Sequence, residues 1–163
     1  MRRYLVLLIV PLVFVLDRWT KLLIIQELPV GRFIEVTPFF SIVHARNTGG
    51  AFSLLAQHAW AKPIFTVLPL LVIGMLLFVL IFYRMDFSKM LSLTCILSGA
   101  IGNIYDRLSY GNVVDFLDFY YGTYHWPAFN VADISISFGI CFWLFVEMKA
   151  YFRAKSGKAA ARP

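Results

Sequence analysis

Two aspartates are the residues of this chain best placed to do chemistry. Asp115 in Val113-Val114-Asp115-Phe116 and Asp133 in Phe129-Asn130-Val131-Ala132-Asp133 flank a short aromatic loop between two strongly apolar segments. An acid left in hydrocarbon costs roughly 2.5–3.5 kcal/mol on insertion scales, so carboxylates at a membrane boundary are functional-site candidates whose partner must be found. Here each is the other's best partner. Two carboxylates held close cannot both ionise cheaply, so the pair shares one proton, leaving one base and one acid at neutral pH. Asp133 also has a purely structural explanation, with Asn130 as a helix N-cap and Asp133 an acid in the first helical turn. Asp115 has none, because Val113, Val114, Phe116 and Leu117 surround it.

Three further polar clusters interrupt the apolar sequence. Asp17 and Lys21 lie four residues apart, on one face of a helix, where they can neutralise each other; a salt bridge and a direct substrate role both remain open. The run His44-Ala45-Arg46-Asn47-Thr48-Gly49-Gly50 follows two predicted strands, where a turn exposes backbone amides and the Asn47 carboxamide, although Asn-x-Gly is common in turns. Asn103-Ile104-Tyr105-Asp106-Arg107 ends an apolar segment, and Arg107 there can snorkel to headgroups. The aromatic loop 119–126 reads as an interfacial belt, with bordering a substrate entrance as the alternative, and His125 within it reads as a solvated interfacial residue.

The elements that must position these groups are membrane helices. With 163 residues, 60% hydrophobic and only 15% charged, the composition is that of a single integral membrane domain, residues 1–163. The net charge of +6 comes from basic residues scattered around apolar spans and gathered near the C-terminus, which fits membrane orientation and not nucleic acid. Cys95 and Cys141 lie in apolar segments and read as packing residues; no spacing suggests a metal site. Arg2-Arg3 and the apolar run after it resemble a signal peptide, but no small-x-small cleavage site follows, so a retained helix is expected.

Four spans are expected, at about 4–26, 64–83, 88–106 and 134–152, each near the roughly 20 residues that cross the hydrocarbon. An even count places both termini on one side. Arg2, Arg3, Arg84, Lys89, Lys149, Arg153, Lys155, Lys158 and Arg162 make that side cytoplasmic. The link 84–87 allows only an antiparallel helical hairpin, so the polar chemistry falls in the two extracytoplasmic loops. In the first of these, 33–36 and 39–45 read as strands of a small surface sheet and 51–55 as a short interfacial element. Pro69 is expected to kink the second span, and Ser98-Gly99-Ala100 with Gly102 gives the third a face of small residues for close helix approach. The basic tail, about 153–163, reads as disordered.

Asp17-x-x-Thr20-Lys21, Asn47-x-Gly49, Gly99-x-x-Gly102-Asn103-x-x-Asp106-Arg107, Val113-Val114-Asp115-Phe116 and Phe129-Asn130-x-Ala132-Asp133 occur together and in order. In this the chain resembles the lipoprotein signal peptidase family, also called signal peptidase II, over essentially its whole length. The resemblance implies an all-α membrane protein of four transmembrane helices with a small extracytoplasmic β-cradle and a short interfacial helix. It implies that Asp115 and Asp133 are the catalytic dyad of an aspartic endopeptidase. Asn47, Gly49, Asn103, Arg107, Asn130 and Ala132 match family positions around the site, and Asp17 and Lys21 match a pair expected to be structural. Ile134 departs from the family pattern, in which relatives often carry Ser.

The implied substrate is a prolipoprotein whose Cys already carries diacylglycerol, cut just before that Cys without a metal or other cofactor. Asn47 and Arg107 are expected to bind backbone or lipid-ester oxygens, with Asn130 holding a dyad carboxylate. The implied setting is the bacterial inner membrane, with membrane lipids as neighbours, both termini cytoplasmic, the site toward the extracytoplasmic face, and a monomer. Two other classes compete. A small proton-coupled transporter also places acids near a membrane, but here they gather at one side, the middles of spans two and four are almost free of polar residues, and no inverted repeat is visible. A structural assembly factor has no need of paired carboxylates.

Overall fold

The computed structural model describes residues 2–48 and 61–160. A 3-10 helix over Arg2–Leu8 leads into α1, Ile9–Glu27. Strands β1 (Phe33–Thr37) and β2 (Phe40–Asn47) form a hairpin, and α2 (Ala61–Phe82) and α3 (Phe87–Tyr110) a helical one. After β3 (Val113–Tyr121) and the short β4 (Tyr124–His125) the chain enters α4, Val131–Ala160. The four strands form one antiparallel sheet in the order β1-β2-β3-β4.

Helix α3 is the hub, packing against α1, α2 and α4. Its Leu97, Ala100 and Ile104 meet Ile73 and Leu76 of α2 in the apolar core. The rest of α2 turns Val67, Leu71, Phe78 and Ile81 outward. A helix apolar on every side needs an apolar solvent, and α2, α3 and α4 are each long and apolar enough to cross a membrane. Small residues set the closest contact. A Cβ added at Gly99 would lie 2.1 Å from the Ala132 carbonyl oxygen, and one at Gly102 would lie 2.8 Å from Asp17 Oδ2, so α3 reaches α4 and α1 only because both positions lack side chains.

Several expectations change. Of the four expected spans, three described helices meet the length and apolarity of a crossing segment, and α1 carries Asp17, Arg18 and Lys21 along its inner face. The aromatic segment is not a loop: 113–121 is a strand that turns at Gly122 (φ 60°) into β4, so the chain is helical with a four-stranded sheet. Its bulky residues fill both faces of the strand, which hid the two-residue period in the sequence. Helix α3 runs past residue 106 to Tyr110, where Gly111 (φ 72°) donates its N–H to the Arg107 carbonyl and ends it with a left-handed cap. Helix α4 starts at Val131 and continues beyond 152 to Ala160, where disorder was expected; extending a formed helix requires no new nucleus, and it runs on across Ser156 and Gly157. Pro69, where a kink was expected, lies inside α2. The interfacial element at 51–55 and Gly49 lie outside the described residues.

Candidate active site

The path of the chain brings Asp115 and Asp133 to one place. Gly111 turns the chain from α3 directly into β3, and β2 pairs with β3 so that Ala45 faces Asp115 and Asn47 faces Val113. Beyond β4 the chain doubles back: the N–H groups of Phe116 and Leu117 both donate to the Phe129 carbonyl, and Phe129 N–H donates to the Leu117 carbonyl. That bridge sets Asn130 beside Asp115, three residues before Asp133.

Asn130 joins the two aspartates. Its Nδ2 donates to Asp115 Oδ1 at 2.7 Å, and its backbone N–H donates to Asp133 Oδ2 at 3.1 Å. Its Oδ1 in turn accepts the Asp133 N–H at 3.0 Å. The last two bonds are a reciprocal capping box at the start of α4. The helix-cap explanation of Asp133 is borne out, and the same cap fixes its carboxylate next to the residue that holds Asp115. The remaining carboxyl oxygens are also met, Asp115 Oδ2 by Asn47 Nδ2 at 3.0 Å and Asp133 Oδ1 by Asn103 Nδ2 at 2.7 Å. Asn47, expected to bind substrate oxygens, directs an amide hydrogen at Asp115.

Beneath the pair lies a buried set of two acids and two bases. Lys21 Nζ lies 2.8 Å from Asp17 Oδ2, 3.0 Å from Asp106 Oδ2 and 3.2 Å from Asn103 Oδ1. Arg18 pairs with Asp106, donates to the Tyr110 hydroxyl at 3.1 Å and covers the Tyr105 ring. Buried charges persist when paired and hydrogen-bonded, and these pairs also hold the site. Asp17 Oδ1 accepts the Ala132 N–H at the start of α4, and Asp106 Oδ2 accepts the Val114 N–H beside Asp115. Lys21 fixes the Asn103 carbonyl, which turns the Asn103 amide toward Asp133. The Asp17–Lys21 pair is thus a clamp on the site. Asp106 stands in the Asn103–Arg107 cluster and motif of the sequence, without an assigned partner, and Arg18 was not singled out. The signal for Arg18 was its i, i+3 spacing to Lys21; Asp106 pairs with a residue 88 positions away, which spacing cannot reveal.

Burial, and then the neighbouring Asp133 charge, push the Asp115 carboxyl up to about 7, against the opposing pull of its bonds from Asn47 and Asn130 and of the Lys21 charge. A carboxyl of that kind titrates in the range that general acid–base catalysis at neutral pH requires. Both aspartates open onto a cavity of about 1300 Å³. Its sheet wall includes Arg32, His44, Arg46 and Asn47, its α4 wall Ile134, Ser137, Phe138 and Cys141, and Arg107 lines it beside the pair. Arg107 Nε is buried with no hydrogen-bond partner among the described residues. Asn103, Asn130 and Ala132 all contribute to the site. Ala132 does so through its backbone, its side chain packing beside Gly102.

A sequence profile of the family described as Signal peptidase (SPase) II matches residues 9–149. The chain is 44% identical over 133 residues to a lipoprotein signal peptidase of Aeromonas hydrophila, covering 78% of each chain. It is 42% identical to one of Vibrio cholerae, over 78% of this chain and 77% of that one, and 43% identical to one of Cupriavidus pinatubonensis, over 85% and 79%. Among solved structures, a bacterial membrane enzyme determined by the in meso method at 2.3 Å superposes with a TM-score of 0.79 at 29% identity, over 88% of this chain and 87% of that one.

Proposed function

The chain belongs to the signal peptidase II family, and from that premise we propose that Asp115 and Asp133 are the catalytic pair of its aspartic peptidase chemistry. The protein is a bacterial inner-membrane peptidase that removes the signal peptide from prolipoproteins. One observation carries the assignment of the pair: a single residue, Asn130, hydrogen-bonds both carboxylates, one through its side chain and the other through its backbone.

The pair shares one proton and titrates as a unit. Its ionised member takes a proton from a water lodged between the carboxylates, and its protonated member polarises the scissile carbonyl. A tetrahedral intermediate forms, and return of a proton to the departing amine completes cleavage. Asn47, Asn103 and Asn130 hold the carboxyl oxygens so that little reorganisation accompanies reaction. Arg107 is the cavity's donor for a backbone or lipid-ester oxygen near the bond.

The substrate's diacylglyceryl chains and apolar signal stretch run along the α4 wall, past Ile134 and Phe138, with the scissile bond just before the lipidated Cys. Binding of those remote parts fixes the reacting bond at the pair. Helix α1 is the fourth crossing segment: its charges face inward and are paired, while Leu12, Val15 and Trp19 are exposed. Both termini are then cytoplasmic, the sheet lies on the extracytoplasmic surface, and the protein works as a monomer.

The test supplies purified protein with lipidated and unlipidated prolipoprotein. Cleavage of the lipidated form alone is expected; proton flux without cleavage would overturn the reading in favour of a transporter. Arg107→Ala is expected to slow processing at limiting substrate, and unchanged processing would remove Arg107 from the account.

A further inference from the structure

A second carboxylate of β3 holds a histidine at the cavity. Asp118, 7% exposed, accepts from Ser41 Oγ at 3.0 Å and from His125 Nδ1 at 2.9 Å. An ionised carboxylate only accepts, so Nδ1 of His125 carries a proton, and in the neutral form of the ring Nε2 presents a bare lone pair. The ring stacks on Tyr120 with centroids 5.0 Å apart, across the β3–β4 pairing of Tyr120 with His125, so its plane is fixed as well as its tautomer. The imidazole is about half exposed and lines the cavity that holds the aspartates.

The two walls of that cavity differ in chemistry. The α4 wall is mainly apolar and takes the lipid and signal portions of the substrate, so residues beyond the cut must leave across the sheet wall toward water. A peptide crossing it loses water from both its carbonyls and its N–H groups. Arg32 and Arg46 offer only donors and serve carbonyls. An N–H needs an acceptor, and at the β4 end of the sheet wall the His125 ring, held by Asp118, offers one at the cavity. We propose that His125 Nε2 accepts a backbone N–H from the substrate segment that follows the lipidated Cys, with Asp118 and Ser41 as positioning residues for the ring. The proposal rests on the peptidase reading above and adds a peptide subsite to it.

His125→Asn separates this role from a structural one, because the Asn amide can keep the bond to Asp118 while the Nε2 acceptor is lost. With diacylated prolipoprotein, KM is expected to rise roughly three- to tenfold, the range of one hydrogen bond, with kcat within about twofold and the melting temperature unchanged. His125→Gln, whose carbonyl reaches the place of Nε2, is expected to recover most of the wild-type KM. A substrate N-methylated in turn at the first residues after the Cys completes the cycle. At one position the methyl group should raise KM for the wild type by a similar factor and add nothing for His125→Asn. A wild-type KM in His125→Asn, or an N-methyl penalty undiminished in that variant at every position, overturns the subsite. A wild-type enzyme that cleaves no substrate overturns instead the peptidase reading on which it rests.

Discussion

Each oxygen of the two aspartates has a hydrogen-bond donor fixed by the fold: Asn130 and Asn47 for Asp115, Asn103 and the Asn130 backbone for Asp133. That leaves lone pairs for a shared proton and a water, in a place dry enough to hold the Asp115 carboxyl near 7. The sign of the pH dependence follows. Above about pH 7 that carboxyl ionises, the pair loses its proton, and no acid remains to polarise the carbonyl; kcat/KM is expected to fall about tenfold per pH unit there, as a pH–rate profile would record. Asn103→Ala frees Asp133 from Lys21 and is expected to lower kcat by up to about 100-fold with a smaller effect on KM, the mark of a displaced catalytic group. The two acids were legible in the sequence because isolated carboxylates beside apolar spans demand an explanation. The clamp of Arg18 and Asp106 was not, since its members are brought together only when α1 packs on α3.

At the scale of elements, the site is an assembly of ends: the start of α4, the end of α3, and β3 between them. The Asn130–Asp133 capping box, the Asp17 bond to Ala132 N–H and the Asp106 bond to Val114 N–H tie those ends to one another and to α1. The approach of α3 to α4 depends on Gly99. Gly99→Ala would drive a methyl group into the Ala132 carbonyl and is expected to lower both the melting temperature and cleavage, measured on the same purified protein. Lys21→Met leaves Asp17 and Asp106 short of a buried partner and is expected to cost about 3–5 kcal/mol, read as a large drop in thermal stability in detergent. The long apolar helices and the first hairpin could be read from the sequence because their hydrophobic patterns are local. Strand β3 was not, because Val113, Val114, Phe116 and Phe119 with two buried aspartates give no clean alternation.

Over the whole molecule, the exposed apolar surface of α2 and α4 and the inward charges of α1 make one bundle whose polar interior rises to a sheet at one end. The proposed substrate would enter such a site from the bilayer, its lipid never leaving hydrocarbon. With both termini proposed to be cytoplasmic, a reporter active only in the cytoplasm should function when fused after Pro163, and one active only outside should not. The measurement closest to the central claim is cleavage of a lipidated prolipoprotein by Asp115→Asn and by Asp133→Asn, each purified and shown to fold as the wild type does. Cleavage should fall by about 10²–10⁴-fold or more in both, since either change removes the acid–base pair and neither aspartate works alone. Substantial turnover by either protein would contradict the paired-aspartate mechanism.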